Sequence, residues 1–221
     1  MTGKPKLHYF NGRGRMESIR WLLAAAGVEF EEIYIKSAED LDKLRNVNVS
    51  IQARSSQMYS LSPTPWVLLP AVMRLHDSKE NLIGISQVEQ AAIEMASLVS
   101  CQLLLAVNPS IFLTTETSEF RAKVARETPE PRPGHEEVLK SHGQDYMVGN
   151  RLSKADVLLV ELIYNMEELD PSLTANFPLL KALKTRISNL PTVKKFLQPG
   201  SQRKFPLDAK ALEEAKKIFR L

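Results

Sequence analysis

The stretch Lys6-Leu7-His8-Tyr9-Phe10-Asn11-Gly12-Arg13-Gly14-Arg15-Met16-Glu17-Ser18-Ile19-Arg20-Trp21-Leu22-Leu23-Ala24-Ala25-Ala26-Gly27 decides how this chain begins to fold. Lys6 to Phe10 alternates and carries aromatics, the pattern of a strand. Asn11 to Gly14 is a turn whose two glycines tolerate positive φ. From Arg15 the apolar residues Met16, Ile19, Leu22, Leu23 and Ala26 recur at helical spacing, and Gly27 supplies the stop. Phe30 to Ile35 alternates again, and Asp40 to Arg45 reads as a short helix. Strand, helix and strand in quick succession predict a βαβ unit with a right-handed crossover and a parallel pair.

Further along, residues 47–80 crowd Ser50, Ser55, Ser56, Ser60 and Ser62 ahead of Pro63-Thr64-Pro65, which reads as loop, with short strands at Trp66–Leu69 and Val72–Leu75. Helical spacing returns over Gln87–Val107 and Ser118–Arg126, and Pro129, Pro131, Pro133 and Gly134 break it. Ser153-Lys154-Ala155-Asp156 has the spacing of a capping box, with Leu152 and Val157 placed as a hydrophobic staple. Phe177-Pro178, Leu190-Pro191 and Pro206-Leu207-Asp208 each open a further helix. The last carries an apolar stripe, Ala211, Leu212, Ala215, Ile218 and Phe219, with its acids ahead of its bases as the helix dipole prefers. The expected organisation is an α/β unit over 1–83 followed by an all-α unit over 84–221.

Composition excludes several classes. At 221 residues with 43% hydrophobic and 25% charged residues, the chain is an ordinary globular one. A net charge of +3 does not point to nucleic acid, and Lys181, Lys184, Arg186, Lys194 and Lys195 read as a solvated face rather than a binding surface. The single cysteine, Cys101, excludes an internal disulfide framework and fits a reducing compartment. Met1 to Lys6 has no apolar core of a signal peptide, so a cytoplasmic protein is expected. Met95 to Thr115 is free of charge, yet Ser97, Ser100, Gln102, Asn108, Pro109 and Ser110 interrupt it. It reads as a buried helix ending before Pro109, not a membrane span.

Motifs for several chemistries are missing. Gly12-Arg13-Gly14 is followed by Glu17 where a dinucleotide loop needs glycine, and no complete phosphate loop occurs. His8, His76, His135 and His142 lack metal-ligand spacing. No nucleophile elbow supports a serine hydrolase. Tyr9 is different. It ends the first strand beside a glycine turn and a helix N-terminus that brings Arg13 and Arg15, where open α/β sheets take ligands and where anions are favoured. A hydroxyl there is placed to donate to a developing anion. By position alone, a strand-end tyrosine also fits a purely structural role.

Two long stretches carry a resemblance. Lys4 to Ser18, continuing through Trp21 to Phe30, is similar to the alpha-class cytosolic glutathione S-transferases. So is Ser141-His142-Gly143-Gln144-Asp145-Tyr146 onward, through Phe177-Pro178-Leu179-Leu180 and Lys194 to Ser201, to the terminal helix. The likeness covers about 3–46 and 137–221. It implies a thioredoxin-like N-terminal domain that binds glutathione, a helical C-terminal domain that completes an apolar pocket, and a detoxifying transferase that conjugates glutathione to hydrophobic electrophiles. By the same resemblance Tyr9 is the catalytic tyrosine, Arg15 supports the thiolate, and Arg45 holds the glycyl carboxylate. Phe10, Gly12, Leu207, Leu212, Ala215 and Leu221 match positions that line the electrophile site.

Between about Val47 and Glu136 the chain departs from the family pattern. The nearest counterparts to its glutathione-binding stretches are Thr64-Pro65-Trp66-Val67 and Met73-Arg74-Leu75-His76-Asp77-Ser78. In that alignment Pro65 is the cis-proline after Thr64, which pairs with the cysteinyl backbone, and Asp77 and Ser78 take the γ-glutamyl group. Glutathione is then the co-substrate, no metal is needed, and the family's homodimer is expected, with no nucleic-acid partner. The alternative is a catalytically silent module of the same fold that binds hydrophobic ligands or protein partners.

Overall fold

The computed structural model describes residues 4, 6–13, 16–44, 133–205 and 209–219. Strand β1 (Lys6–Tyr9) and strand β2 (Glu31–Tyr34) pair in parallel, with Leu7 opposite Glu32 and Tyr9 opposite Tyr34. Between them runs helix α1 (Glu17–Ala25). It ends as the sequence predicts: Gly27 adopts φ +66°, and the Val28 amide returns to the Leu23 carbonyl at 2.9 Å. A side chain at residue 27 would be strained there, and its Cβ would stand 3.4 Å from Thr192 Cγ2. Helix α2 (38–44) starts two residues before the expected Asp40, because the Ser37 hydroxyl accepts the Asp40 amide as an N-cap.

Among the described residues, the regular elements of the second part are all helices. Helix α3 is Pro133–His142, α4 is Lys154–Leu169, a 3-10 turn covers Pro171–Thr174, α5 is Pro178–Ser188, α6 is Pro191–Phe196 and α7 is Ala209–Phe219. Pro133 and Gly134, which read as helix breakers, instead open α3. Proline is tolerated at a helix start because its missing N–H has no intrahelical partner there. The Glu136 carboxylate then accepts the Leu179 and Leu180 amides at 3.0 Å each, satisfying the first turn of α5 from a neighbouring helix.

Helix α4 is the centre. Val157, Leu158, Leu159, Val160, Leu162, Ile163 and Met166 have no solvent exposure, and a helix apolar on every side must be wrapped by others. The capping box forms at its start: the Ser153 amide donates to Asp156 Oδ2 at 2.8 Å, and Asp156 Oδ1 also accepts the Met147 amide at 2.7 Å. Trp21 and Leu22 of α1 belong to the same core as α4, α5 and α6. The two parts therefore share one interior. A second cluster, Leu7, Met16, Ile19, Leu23 and Phe30, seats α1 on the strands. A third joins Phe10 and Ile35 to Ala215 and Ile218 of α7.

Two of the bases read as a solvated face do more than face water. Lys184 pairs with Glu167 and lies 4.1 Å from the centre of the Tyr164 ring. Arg186 donates to the Asp145 carboxylate at 2.5 Å and sits over Tyr146. Among the described residues no helix is long and apolar enough to cross a membrane. The expected elements at 47–80, 87–107 and 118–126, the uncharged run 95–115 and the boundary at 83/84 lie outside the described residues.

Candidate active site

Tyr9 closes β1 at its carboxyl end, as the alternating pattern predicts. Its carbonyl accepts the Ile35 amide at 2.9 Å, which fixes the strand end against β2, and its ring centre lies 4.5 Å from that of Phe10. The ring is half-buried, between the α1 cluster and the α7 cluster. Phe10 itself is only 2% exposed, held beneath α7 by Ala215 and Ile218. The Gly12 amide turns back to the Phe10 carbonyl at 2.8 Å, a tight turn that starts the loop to α1.

That loop is bound on both sides. The sequence pattern places Arg13 as positive charge beside Tyr9. Its guanidinium is instead directed into the helical part: Nη1 donates to Asn165 Oδ1 at 2.6 Å, Nη2 to Glu168 Oε2 at 2.7 Å and Nε to the Lys204 carbonyl at 3.2 Å. The Glu168 carboxylate offsets the charge at close range, so Arg13 ties the loop down rather than supplying a free field. From below, Arg20 donates to the Gly12 and Arg13 carbonyls at 3.1 and 3.3 Å, to Glu17 at 2.9 Å and to Glu32 at 2.8 Å.

Burial pushes the Glu17 carboxyl up; the Arg20 charge, the Lys204 amide and Arg13 oppose that rise. Burial also works against the Glu32 charge, but Arg20, Lys204 and Tyr34 outweigh it and hold the carboxyl below its ordinary value. The Lys204 ammonium bridges Glu32 at 3.0 Å and the Tyr34 hydroxyl at 2.7 Å. Sequence reasoning singles out none of this seam, Glu17, Arg20, Glu32, Glu161, Asn165 and Lys204. One signal of it exists: Glu17 and Arg20 stand one turn apart among the apolar positions of α1, where unpaired charges are not tolerated.

Of the predicted residues, the structure brings Tyr9, Phe10, Gly12 and Ala215 to one region, and Leu212 lies on α7. Arg15, Arg45, Thr64, Pro65, Asp77, Ser78, Leu207 and Leu221 lie outside the described residues. Among the described residues no group of three or more metal-ligating side chains comes together.

Comparison with known proteins decides the family. The model of the glutathione S-transferase N-terminal domain matches residues 5–52, and that of the glutathione S-transferase C-terminal domain matches residues 111–200. The chain is 57% identical to Glutathione S-transferase A3 of Homo sapiens and 56% identical to Glutathione S-transferase alpha I of Oryctolagus cuniculus, each match spanning 100% of both chains. The chain belongs to the alpha-class glutathione S-transferases. A solved structure of the Pi-class glutathione S-transferase of Onchocerca volvulus is also similar, with a TM-score of 0.63 at 25% identity, over 86% of this chain and 90% of that one. As a glutathione S-transferase the chain is an enzyme, and the parallel β1–β2 pair with its crossover helix belongs to the thioredoxin-like domain of that fold. The C-terminal match begins at 111, upstream of the resemblance from 137 onward, so the family pattern extends back into the segment that departs from it.

Proposed function

We propose that this transferase binds glutathione against the end of β1 and that the Tyr9 hydroxyl donates a hydrogen bond to the sulfur, stabilising the thiolate that attacks a hydrophobic electrophile. The carrying observation is the setting of Tyr9: a rigid strand end, half-buried, with the terminal helix packed over its neighbour Phe10. A free thiol with a pKa of ~8.5 is only a few per cent ionised at neutral pH. Lowering that value by about two units takes roughly 2.7 kcal/mol of differential interaction, a load suited to one charge-assisted hydrogen bond and a nearby cation.

Arg15 supplies that cation; Arg13 is committed to Asn165 and Glu168. Arg45 holds the glycyl carboxylate, Thr64 beside Pro65 the cysteinyl backbone, and Asp77 and Ser78 the γ-glutamyl end. Phe10, Gly12, Leu207, Leu212, Ala215 and Leu221 form the greasy side, where closeness of the electrophile does the rest. The glutathione-binding domain ends near residue 83, the enzyme is a cytoplasmic homodimer, and no nucleic acid takes part. Retention on immobilised glutathione, release by free glutathione and conjugation of an aromatic halide test the reading together. Retention without conjugation would favour the silent module.

A further inference from the structure

Glu161 stands in the middle of α4 on the side that meets α1, one turn before Asn165, so both project into the same seam. It is 3% exposed, and its Oε2 has no hydrogen-bond partner. The Ser18 hydroxyl in the first turn of α1 bonds to it. From α1 it faces Glu17 and Arg20, from the loop Arg13, and from its own helix Asn165. Those cations have other carboxylates in contact: Arg13 pairs with Glu168, and Arg20 with Glu17 and Glu32. Lys204 and Arg203, from the segment before α7, pair with Glu32 and Glu168. On α5, Lys184 pairs with Glu167 on another face of α4. Among the described residues no cation is within ion-pair reach of Glu161.

A charged carboxylate in such a place, buried beside a second carboxylate and with no cation among the described residues in contact, is poorly stabilised. We propose that Glu161 is held in the seam as a neutral carboxylic acid and serves as a positioning residue, keeping the first turn of α1, and with it the loop that follows Tyr9, seated against the helical domain. Its loss of the proton places two like charges across the α1–α4 contact and loosens the grip on that loop. Burial, with the Glu17 charge adding to it, pushes the carboxyl up to about 8, and the Ser18 bond and the Arg13 and Arg20 charges only partly oppose the rise.

The sign follows from the raised value. The unfolded chain loses this proton near the ordinary 4.5, while the folded chain keeps it to about 8. The contribution to stability is full below the lower value and is lost as pH rises through the upper one, by up to about tenfold in the folding constant per pH unit. The proposal rests on the transferase reading only for its kinetic part. The test compares the full chain with Glu161→Gln, a neutral isostere, and Glu161→Ala.

Infrared difference spectra of wild type against Glu161→Gln should show a protonated-carboxyl band at pH 7 that disappears as pH passes about 8. The melting temperature of wild type should fall relative to Glu161→Gln as pH rises from 5 to 8. With glutathione saturating, wild-type turnover should decline above pH 8, where Glu161→Gln stays level. Glu161→Ala should be slower than both at pH 7, with Glu161→Gln restoring the rate. No protonated band at pH 7, or parallel melting curves of wild type and Glu161→Gln, overturns the neutral acid whether or not the enzyme conjugates. Equal alkaline limbs in the two overturn the positioning role, even if Glu161→Ala fails to fold.

Discussion

Arg13 Nη1 and Asn165 Oδ1 lie 2.6 Å apart across the seam between the α/β and helical parts, joining residues 152 positions apart in the chain. Both side chains are buried there. The loop that follows Tyr9 is therefore positioned by the helical part as much as by its own. Replacing Asn165 by Ala strands a guanidinium N–H in that interior, at a cost of about 1–3 kcal/mol. Denaturant midpoints should fall accordingly, and glutathione turnover should drop in the folded fraction. An unchanged midpoint would show that the contact contributes nothing.

If, as proposed, the hydroxyl acts on the sulfur and the carboxylates are held elsewhere, Tyr9→Phe should cut the conjugation rate while leaving glutathione affinity nearly as it was. The lost interaction belongs to the thiolate and the transition state, so kcat falls more than KM rises. Thiolate absorbance of bound glutathione should titrate closer to the free thiol. Turnover equal to wild type would remove Tyr9 from the mechanism.

Arg45→Ala should do the opposite. Losing a partner to the glycyl carboxylate weakens binding by about 1–3 kcal/mol, the range for bonds to charged groups. KM for glutathione should rise with little change at saturation; a normal KM with slow turnover would contradict the assignment.

The start of α4 ranks two stability variants. Ser153→Ala removes a cap and should cost about 1 kcal/mol. Asp156→Ala should cost more, since the Met147 and Ser153 amides both donate to that carboxylate and would be left unpaired in the interior. Melting temperatures in the order wild type, Ser153→Ala, Asp156→Ala, with normal KM in whatever folds, are expected. Equal melting temperatures would mean the box is inert.

The enzyme should form a dimer. An obligate interface buries on the order of 2,000 Å² or more and does not dissociate at micromolar concentration. Light scattering should therefore give twice the 24.9 kDa chain mass. A monomer that still conjugates glutathione would separate assembly from activity in this chain.

Local chemistry makes much of this protein legible in the chain alone. The alternation of Lys6 to Phe10, the stop at Gly27, the box from Ser153 to Asp156 and the prolines opening α5 and α6 all act within a few residues, so spacing reveals them. The place of Tyr9 at a strand end is legible in the same way, while its catalytic role is implied only by the family resemblance. The starts of α2 at residue 38 and of α3 at Pro133 are less legible, because a serine hydroxyl and a tolerant first turn are weak signals beside periodicity. What tertiary structure alone decides is where charge goes once it is buried. Arg13 and Arg15 look alike in the sequence, yet Arg13 turns to Asn165 and Glu168, partners from more than 150 residues away. Glu17, Arg20 and Glu161 interrupt apolar stretches of their helices, and the packing of α1 against α4, β2 and the loop after Tyr9 removes their water. An ion's partner is chosen by which surfaces exclude solvent together, and that is a property of the packed molecule rather than of any stretch of its chain.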